Sequence, residues 1–335
     1  MPLLEVSDLR IRLQTHHGAV DAVRGIDFTL HRGETLGLVG ESGCGKSLTA
    51  LALMGLLPDA AQASGSILLD GQELVGLDDR ALCRLRGNRI GMVFQEPMTA
   101  LNPVHRIGDQ VAEPLRLHRG LGRAAARREA LALLERVGIA DAARRLDAYP
   151  HQFSGGQRQR ITIAMALACG PDLLIADEPT TALDVTVQQQ ILDLISDLVA
   201  ERGMALILIS HDLGVISQNA DRMLVMYGGS VVESGPTEAV FATMAHPYTR
   251  GLFAARPQLV PHRRGERPRL ATIAGTVPEL AHLPAGCPFA GRCGFTVDAC
   301  HTTPPPPVPL GSVDAGHMAR CIRLDAMPAA PEVGA

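Results

Sequence analysis

The stretch "GESGCGKS", Gly40 to Ser47, decides how this chain is read. It fits the pattern G-x4-G-K-[ST], a loop whose glycines let consecutive backbone N–H groups turn inward around phosphates. The residues on either side fit that reading. An apolar strand-like run, "TLGLVG" (35–40), leads in, and a helix-like run, "SLTALALMGLL" (47–57), leads out. The helix adds the positive end of its dipole to the anion site. Gly40, Glu41, Ser42, Gly43, Cys44, Gly45, Lys46 and Ser47, with Leu48 opening the helix, are therefore the expected nucleotide contacts. Lys46 is expected to reach the β- and γ-phosphates and Ser47 to ligate Mg²⁺. Cys44 fills a small-residue slot, and its position beside Lys46 and a helix N-terminus is one where a thiol pKa can fall.

A second glycine turn, "QFSGGQRQR" (152–160), also has the look of a phosphate cradle: a serine and paired glycines opening a basic, helix-like run. One domain has no evident need of two.

Carboxylates follow at the end of an apolar run, "LLIADEP" (173–179). A buried parallel strand that emerges at its carboxyl end is where open α/β sheets place their chemistry. Asp177 is expected to hold Mg²⁺ through water. Glu178, one residue on, points differently and is expected to face the attacking water, the division of labour of a metal-assisted phosphohydrolase. Taken alone, such a pair is as readily an acidic turn. "ALILISHD" (205–212) delivers His211 at the end of another apolar run, where it can donate to a γ-phosphate oxygen. Gln95 in "GMVFQEP" (91–97) ends a third, within reach of Mg²⁺ or the water.

The 335 residues are 46% hydrophobic and 20% charged, enough to bury a large core, and the net charge of −4 argues against nucleic acid as the main partner. No apolar run reaches the ~20 residues that cross a bilayer. The opening "MPLLEVSDLR" lacks the basic-then-apolar pattern of a signal peptide, so a cytoplasmic chain with reduced cysteines is expected. "LLEVSDLRIRL" and "IDFTL" read as antiparallel strands with turns near Gly18 and His31–Gly33. Residues 98–165 carry Ala, Leu and Arg at helical spacing. Residues 171–235 return to strand–helix alternation, which implies a parallel sheet covered on both faces. Beyond Gly235 the composition shifts: prolines crowd into "TTPPPPVP" (302–309), and "PHRRGERPR" (261–269) reads as an exposed basic loop.

These pieces in this order resemble the nucleotide-binding domain of ABC ATPases, over residues 1–235. The resemblance implies an α/β P-loop NTPase core with an antiparallel β subdomain and a helical signature subdomain at about 98–165. It makes Gln95 the Q-loop glutamine and a ligand of Mg²⁺, Asp184 in "TALD" the D-loop aspartate and His211 the switch histidine. Phe153, Ser154, Gly155, Gly156 and Gln157 become the signature motif. In this family two such domains stack head to tail, and the signature of one covers the ATP held by the phosphate loop of the other. That accounts for two cradles in one chain. It also implies a second ATPase subunit, either a copy of this chain or, in preference, a paralogue. The family often stacks adenine on an aromatic residue after the first strand. Here "RIRLQTHHGAV" offers His16, His17 or the apolar Leu13.

Further segments narrow the resemblance. "FQEPMTALNPVHRIGDQVAEPL", "HQFSGGQRQRITIAMALACGPDLLIADEPTTALDVTVQ" and "AHPYTRGLFAARP" are similar to the dipeptide/oligopeptide importer ATPases. This implies two multi-span permease subunits, an extracytoplasmic binding protein acting indirectly, and a peripheral place on the cytoplasmic face of the inner membrane. An importer of another solute such as nickel or glutathione, or a soluble ABC machine, are the alternatives. Segment 96–115 would receive a coupling helix of the permease; its Met98, Leu101, Val104 and Ile107 suit that groove or the core equally. The family's C-terminal extension would occupy 236–335. Cys287, Cys293, Cys300 and Cys321 fall there, spaced x5, x6 and x20, without the tight pairs of a zinc site. Four thiolates on proline-constrained loops suit a [4Fe–4S] cluster, which the resemblance also implies, with His317 near enough to replace one of them.

Overall fold

Strand patterns of two kinds divide the molecule. In the computed structural model, which describes residues 1–16, 18–181, 183–255, 272–311 and 316–328, β1 (Leu4–Thr15) and β2 (Gly18–Leu30) bury roughly alternate residues. They form a hairpin and join β4 (Ala61–Leu69) and β5 (Gln72–Glu73) in an antiparallel sheet ordered β2-β1-β4-β5. By contrast β3 (Thr35–Val39), β6 (Ile90–Val93), β7 (Leu173–Asp177), β8 (Ala205–Ser210) and β9 (Arg222–Tyr227) are apolar almost throughout. They lie parallel, in the order β9-β3-β8-β7-β6.

Continuous apolarity follows from burial on both faces. Side chains alternate along each strand into two separate cores. Leu36, Leu38, Leu173, Ile175, Ile207 and Ile209 pack under the antiparallel sheet and helix α1 (Lys46–Met54). Val39, Leu174, Ala176, Leu206 and Leu208 pack on the opposite side. That second core takes in α4 (Ile107–Arg119), α5 (Arg123–Arg136), α7 (Gly155–Ala166), α8 (Val185–Arg202) and α9 (Leu213–Asn219). The short helices α3 (Pro97–Ala100) and α6 (Ala142–Arg145) complete this part, while α2 (Asp79–Leu85) turns Leu85 into the first core.

The C-terminal segment is joined to this core more closely than a composition shift suggests. After β10 (Ser230–Pro236), α10 (Thr237–Thr243), α11 (Pro247–Ala254) and α12 (Ala299–Thr302), strands β11 (Val308–Pro309) and β12 (Met318–Ala319) extend the large sheet. Their order, β11-β12-β10-β9, seats them on its edge. Tyr248, Phe253 and Phe289 belong to the same core as the helical region. Tyr227, Tyr248 and Phe289 meet with ring centroids 4.7–5.3 Å apart. Each buried aromatic of this kind stabilises the junction by about 2–3 kcal/mol. The basic stretch 261–269 lies outside the described residues. No helix among those described is long and apolar enough to cross a membrane.

Candidate functional site

The parallel strands deliver the candidate residues because they all end on one side. β3 runs into the phosphate loop. Its neighbour β8 ends beside His211, β7 beside that ends at Asp177, and β6 leads to Gln95. Gly40 is required by contact: a methyl there would sit 2.2 Å from the Met226 carbonyl oxygen and 2.8 Å from the Cys44 sulfur. The loop is fastened to the turn between β9 and β10 by Gly229 N–H donating to the Cys44 carbonyl, 3.2 Å. Lys46, 5% exposed, donates to the carbonyls of Gly40 (2.8 Å) and Glu41 (3.1 Å).

Cys44 fills its small-residue slot, and its thiol is not activated. It is 2% exposed, and burial pushes its thiol pKa up, against the opposing pull of Lys46. Proximity to a cation and a helix N-terminus does not offset the loss of water around a thiolate. The residue is packing, not a reactive thiol.

Asp177 lies at 5% exposure with its carboxyl pKa raised, by burial first and then by the charge of Glu178, while Ser47 and Lys46 pull it down. Its Oδ1 is buried and has no hydrogen-bond partner. A buried carboxylate oxygen left without a donor, beside an exposed serine hydroxyl on the phosphate loop, is a donor set that fits Mg²⁺. That ion takes few protein oxygens and keeps several waters.

Glu178 holds φ at +46°, a backbone conformation rare for a residue with a side chain. The turn lifts its carboxylate out of the strand direction. Three side chains then converge on one oxygen: Oε2 accepts from Gln95 Nε2 (3.1 Å) and Thr181 Oγ1 (3.0 Å), and lies 3.2 Å from His211 Nδ1. The three candidates named for catalysis, distant in sequence, thus form one cluster. Thr181 was not anticipated; it lies three residues past Glu178, where a hydroxyl can reach back to a carboxylate.

The second glycine turn is placed differently. Ser154 caps α7, its Oγ accepting from Gln157 N–H (3.3 Å) while Gln157 Oε1 accepts from Ser154 N–H (3.2 Å). This reciprocal capping box fixes the helix end. Arg145 stacks 4.0 Å from the centre of the buried Phe153 ring and donates to Gln157. Ser154 and Gly155 face solvent. A methyl at Gly156 would come within 2.8 Å of Val187 on α8, so the turn packs tightly against that helix. Asp184 caps the same helix, accepting from Val187 N–H at 3.0 Å.

Around the base site, His16 is exposed and Leu13 half-buried in β1 between β2 and β4, while His17 lies outside the described residues. The apolar members of 96–115 divide. Leu101 and Ile107 are core, but Val104 is 76% exposed, with Phe94 and Leu117 also open to solvent; the Met98 side chain is not described.

Cys287, Cys293, Cys300 and Cys321 line a single pocket with His246 and Phe289. Cys293 and Cys321 sulfurs accept N–H bonds from Phe295 (3.4 Å) and Arg323 (3.3 Å). Burial pushes the Cys287 thiol up to about 11, and the neighbouring thiols add to the rise. As placed, no group of three or more His, Cys, Asp or Glu side chains among the described residues can hold a metal ion. The sulfurs surround a space without meeting at one point. His317 is elsewhere: its Nε2 lies 2.9 Å from the Glu233 carboxylate, both buried, which corrects the expectation that it substitutes for a thiolate. Glu233 also accepts from Ala245 and His246 N–H, so a histidine there completes an existing anion site.

Two further residues escaped sequence reading. Tyr248 Oη accepts from Glu41 N–H at 2.7 Å, and Arg292 pairs with the Glu41 carboxylate at 2.7 and 3.2 Å. The available signal was Glu41 itself, a carboxylate in a phosphate-binding loop that needs a counter-charge.

The sequence matches the ABC transporter family model over residues 23–181 and that of the oligopeptide/dipeptide transporter C-terminal region over residues 232–300. A Brucella melitensis protein named for peptide import and ATP binding is 53% identical over 96% of this chain and 97% of its own. The oligopeptide transport ATP-binding protein OppD of Salmonella typhimurium is 48% identical, over 96% and 93%. Among solved structures, a dimeric post-hydrolysis ATP-binding cassette bound to ADP and Pi superposes with a TM-score of 0.63 at 28% identity, covering 70% of this chain and 98% of that one.

Proposed function

The chain belongs to the ABC transporter family, and from that premise we propose that it is the ATP-hydrolysing subunit of a di- and oligopeptide importer. The observation that carries the catalytic part is the convergence of Gln95, Thr181 and His211 on the Glu178 carboxylate, at the strand ends that flank the phosphate loop. The peptide substrate is supported by the names of relatives about half identical over nearly the whole chain and by the second matched family.

The residues divide the work. Loop amides and Lys46 bind the β- and γ-phosphates. Ser47, Asp177 and Gln95 would hold Mg²⁺, which would supply positive charge against the phosphates. Glu178 orients the attacking water; Gln95 and Thr181 fix the carboxylate, and His211 senses the γ-phosphate from the adjoining strand end. Ser154, Gly155, Gly156 and Gln157 serve a nucleotide held by another ATPase subunit, since their cap geometry is formed while their outer face is open to solvent. Asp184 stands at the same seam.

Residues 1–235 then form the nucleotide-binding domain, with its helical part at about 98–165, and 236–335 the extension. The exposed Phe94, Val104 and Leu117 suit a permease coupling helix, which sets the chain on the cytoplasmic membrane face with a paralogous ATPase and two permeases, and a binding protein beyond them. A [4Fe–4S] cluster among the four cysteines is supported only by their lining one pocket of the extension; as placed, no three of them can hold a metal ion, so loading would require the sulfurs to draw together. Detergent extracts of cells carrying tagged chain test the assignment: multi-span permeases and a second ATPase co-purify, and Mg²⁺-dependent ATP hydrolysis follows. A chain that hydrolyses ATP but never co-purifies with a multi-span membrane protein would overturn the transport reading. Anaerobically purified protein is expected to absorb near ~400 nm, and colourless protein without iron or sulfide ends the cluster reading.

A further inference from the structure

Glu41 is the first side chain after Gly40, and it introduces a negative charge into a loop built for phosphate. Its environment deals with that charge from outside the nucleotide-binding core. The Arg292 side chain is 5% exposed, and its guanidinium grips both Glu41 oxygens, at 2.7 and 3.2 Å. The same guanidinium donates to the Ala274 carbonyl (2.9 Å) and Tyr227 Oη (3.3 Å), and it lies 5.8 Å from the Tyr227 ring centre. A fork held at so many points has little freedom left to lose, so the carboxylate is fixed as well as neutralised. Tyr248, fully buried, holds the Glu41 backbone from the other side through its hydroxyl. The next residue after Arg292, Cys293, carries its thiol into the four-cysteine pocket. The pocket and the phosphate loop therefore share one turn of backbone.

We propose that Arg292 and Tyr248 are positioning residues for the nucleotide: the segment beyond the core sets ATP affinity by neutralising and immobilising Glu41 in the phosphate loop. Without Arg292, a free carboxylate stands beside the triphosphate and repels it. This rests on the ATP-binding reading of that loop.

The test is Mg-ATP affinity of the purified full chain, with KM, kcat and melting temperature followed in parallel. Wild-type chain that binds no Mg-ATP fails the underlying reading. If wild type binds, Arg292→Met is expected to raise Kd and KM roughly ten-fold, the size of a typical coupling between sites, with kcat within two-fold. Arg292→Lys should fall between, since it keeps charge but loses the fork. Adding Glu41→Gln to Arg292→Met should bring Kd back to within about three-fold of wild type, because the offending charge is gone. Tyr248→Phe, which removes one hydroxyl and keeps the ring, should raise Kd about three-fold. Unchanged Kd in Arg292→Met, a loss that Glu41→Gln does not reverse, or a fall in kcat that tracks the melting temperature would each overturn the proposal.

Discussion

The two glycine turns of this chain have similar composition and opposite circumstances. The phosphate loop buries Gly40, Cys44, Gly45 and Lys46, opens Ser42, Gly43 and Ser47 to solvent, and is braced by the β9–β10 turn, by Tyr248 and by Arg292. The turn at Ser154 faces solvent, and the partners that shape it, Gln157, Arg145 and the first turn of α8, are close by on its own side of the molecule. A loop that must bind triphosphate within its own subunit needs its amides fixed in place. A loop that closes over a neighbour's nucleotide needs a formed helix end and an open face. On the proposed reading, the same chemistry, backbone N–H at a helix N-terminus, serves once as a complete site and once as half of one.

Four changes break or sharpen that contrast. Glu178→Gln should abolish turnover by about 10²–10⁴-fold while leaving ATP bound, and it should accumulate an ATP-bound dimer in which both cradles meet one nucleotide. Single-turnover hydrolysis and size-exclusion chromatography read it; turnover near wild type would remove Glu178 from its role. Lys46→Ala should weaken ATP binding to the isolated chain on the order of 100-fold, since it deletes the charged partner of the phosphates. Equilibrium titration that finds unaltered affinity would mean that the first cradle is not the phosphate site.

Ser154→Ala should separate the two regions most directly. Steady-state turnover should fall about ten-fold, ATP affinity of the isolated chain should stay within two-fold, and loss of the cap should lower stability by ~1 kcal/mol. Weakened binding by the single chain would show that the second cradle acts within its own subunit. The last effect, on stability and not on turnover, concerns the junction that braces the first cradle. His246 is fully buried, and desolvation holds it neutral with a pKa lowered to about 4, against the raising charge of Glu233. The unfolded chain takes up that proton near pH 6.5 and the folded chain refuses it. Stability should therefore fall as pH drops from about 6.5 towards 4, by up to roughly 3 kcal/mol. Denaturant melts across that window check it, and His246→Gln should flatten the slope.

Much of the site was legible in the chain because its motifs sit at strand ends. "TLGLVG", "LLIAD" and "ALILIS" are apolar runs whose only place is a doubly covered sheet, and the residue that follows each is carried to the same edge. Gln95, Asp177, Glu178 and His211 could be named for that reason. A lowered Cys44 thiol pKa and a ligand role for His317 both fail because each rests on sequence neighbours alone. Burial outweighs the lysine beside Cys44, and a buried glutamate eighty-four positions away claims His317.

By itself, the sequence determined the α/β core, the phosphate loop and the acidic strand end, because each depends on local pattern and spacing. Only the tertiary structure decided that Gln95, Thr181 and His211 share one carboxylate oxygen, that β11 and β12 extend the core sheet, and that Arg292 holds Glu41 from 251 positions away. Contacts of that kind arise where separate elements pack, and nothing in the residues between the partners encodes them.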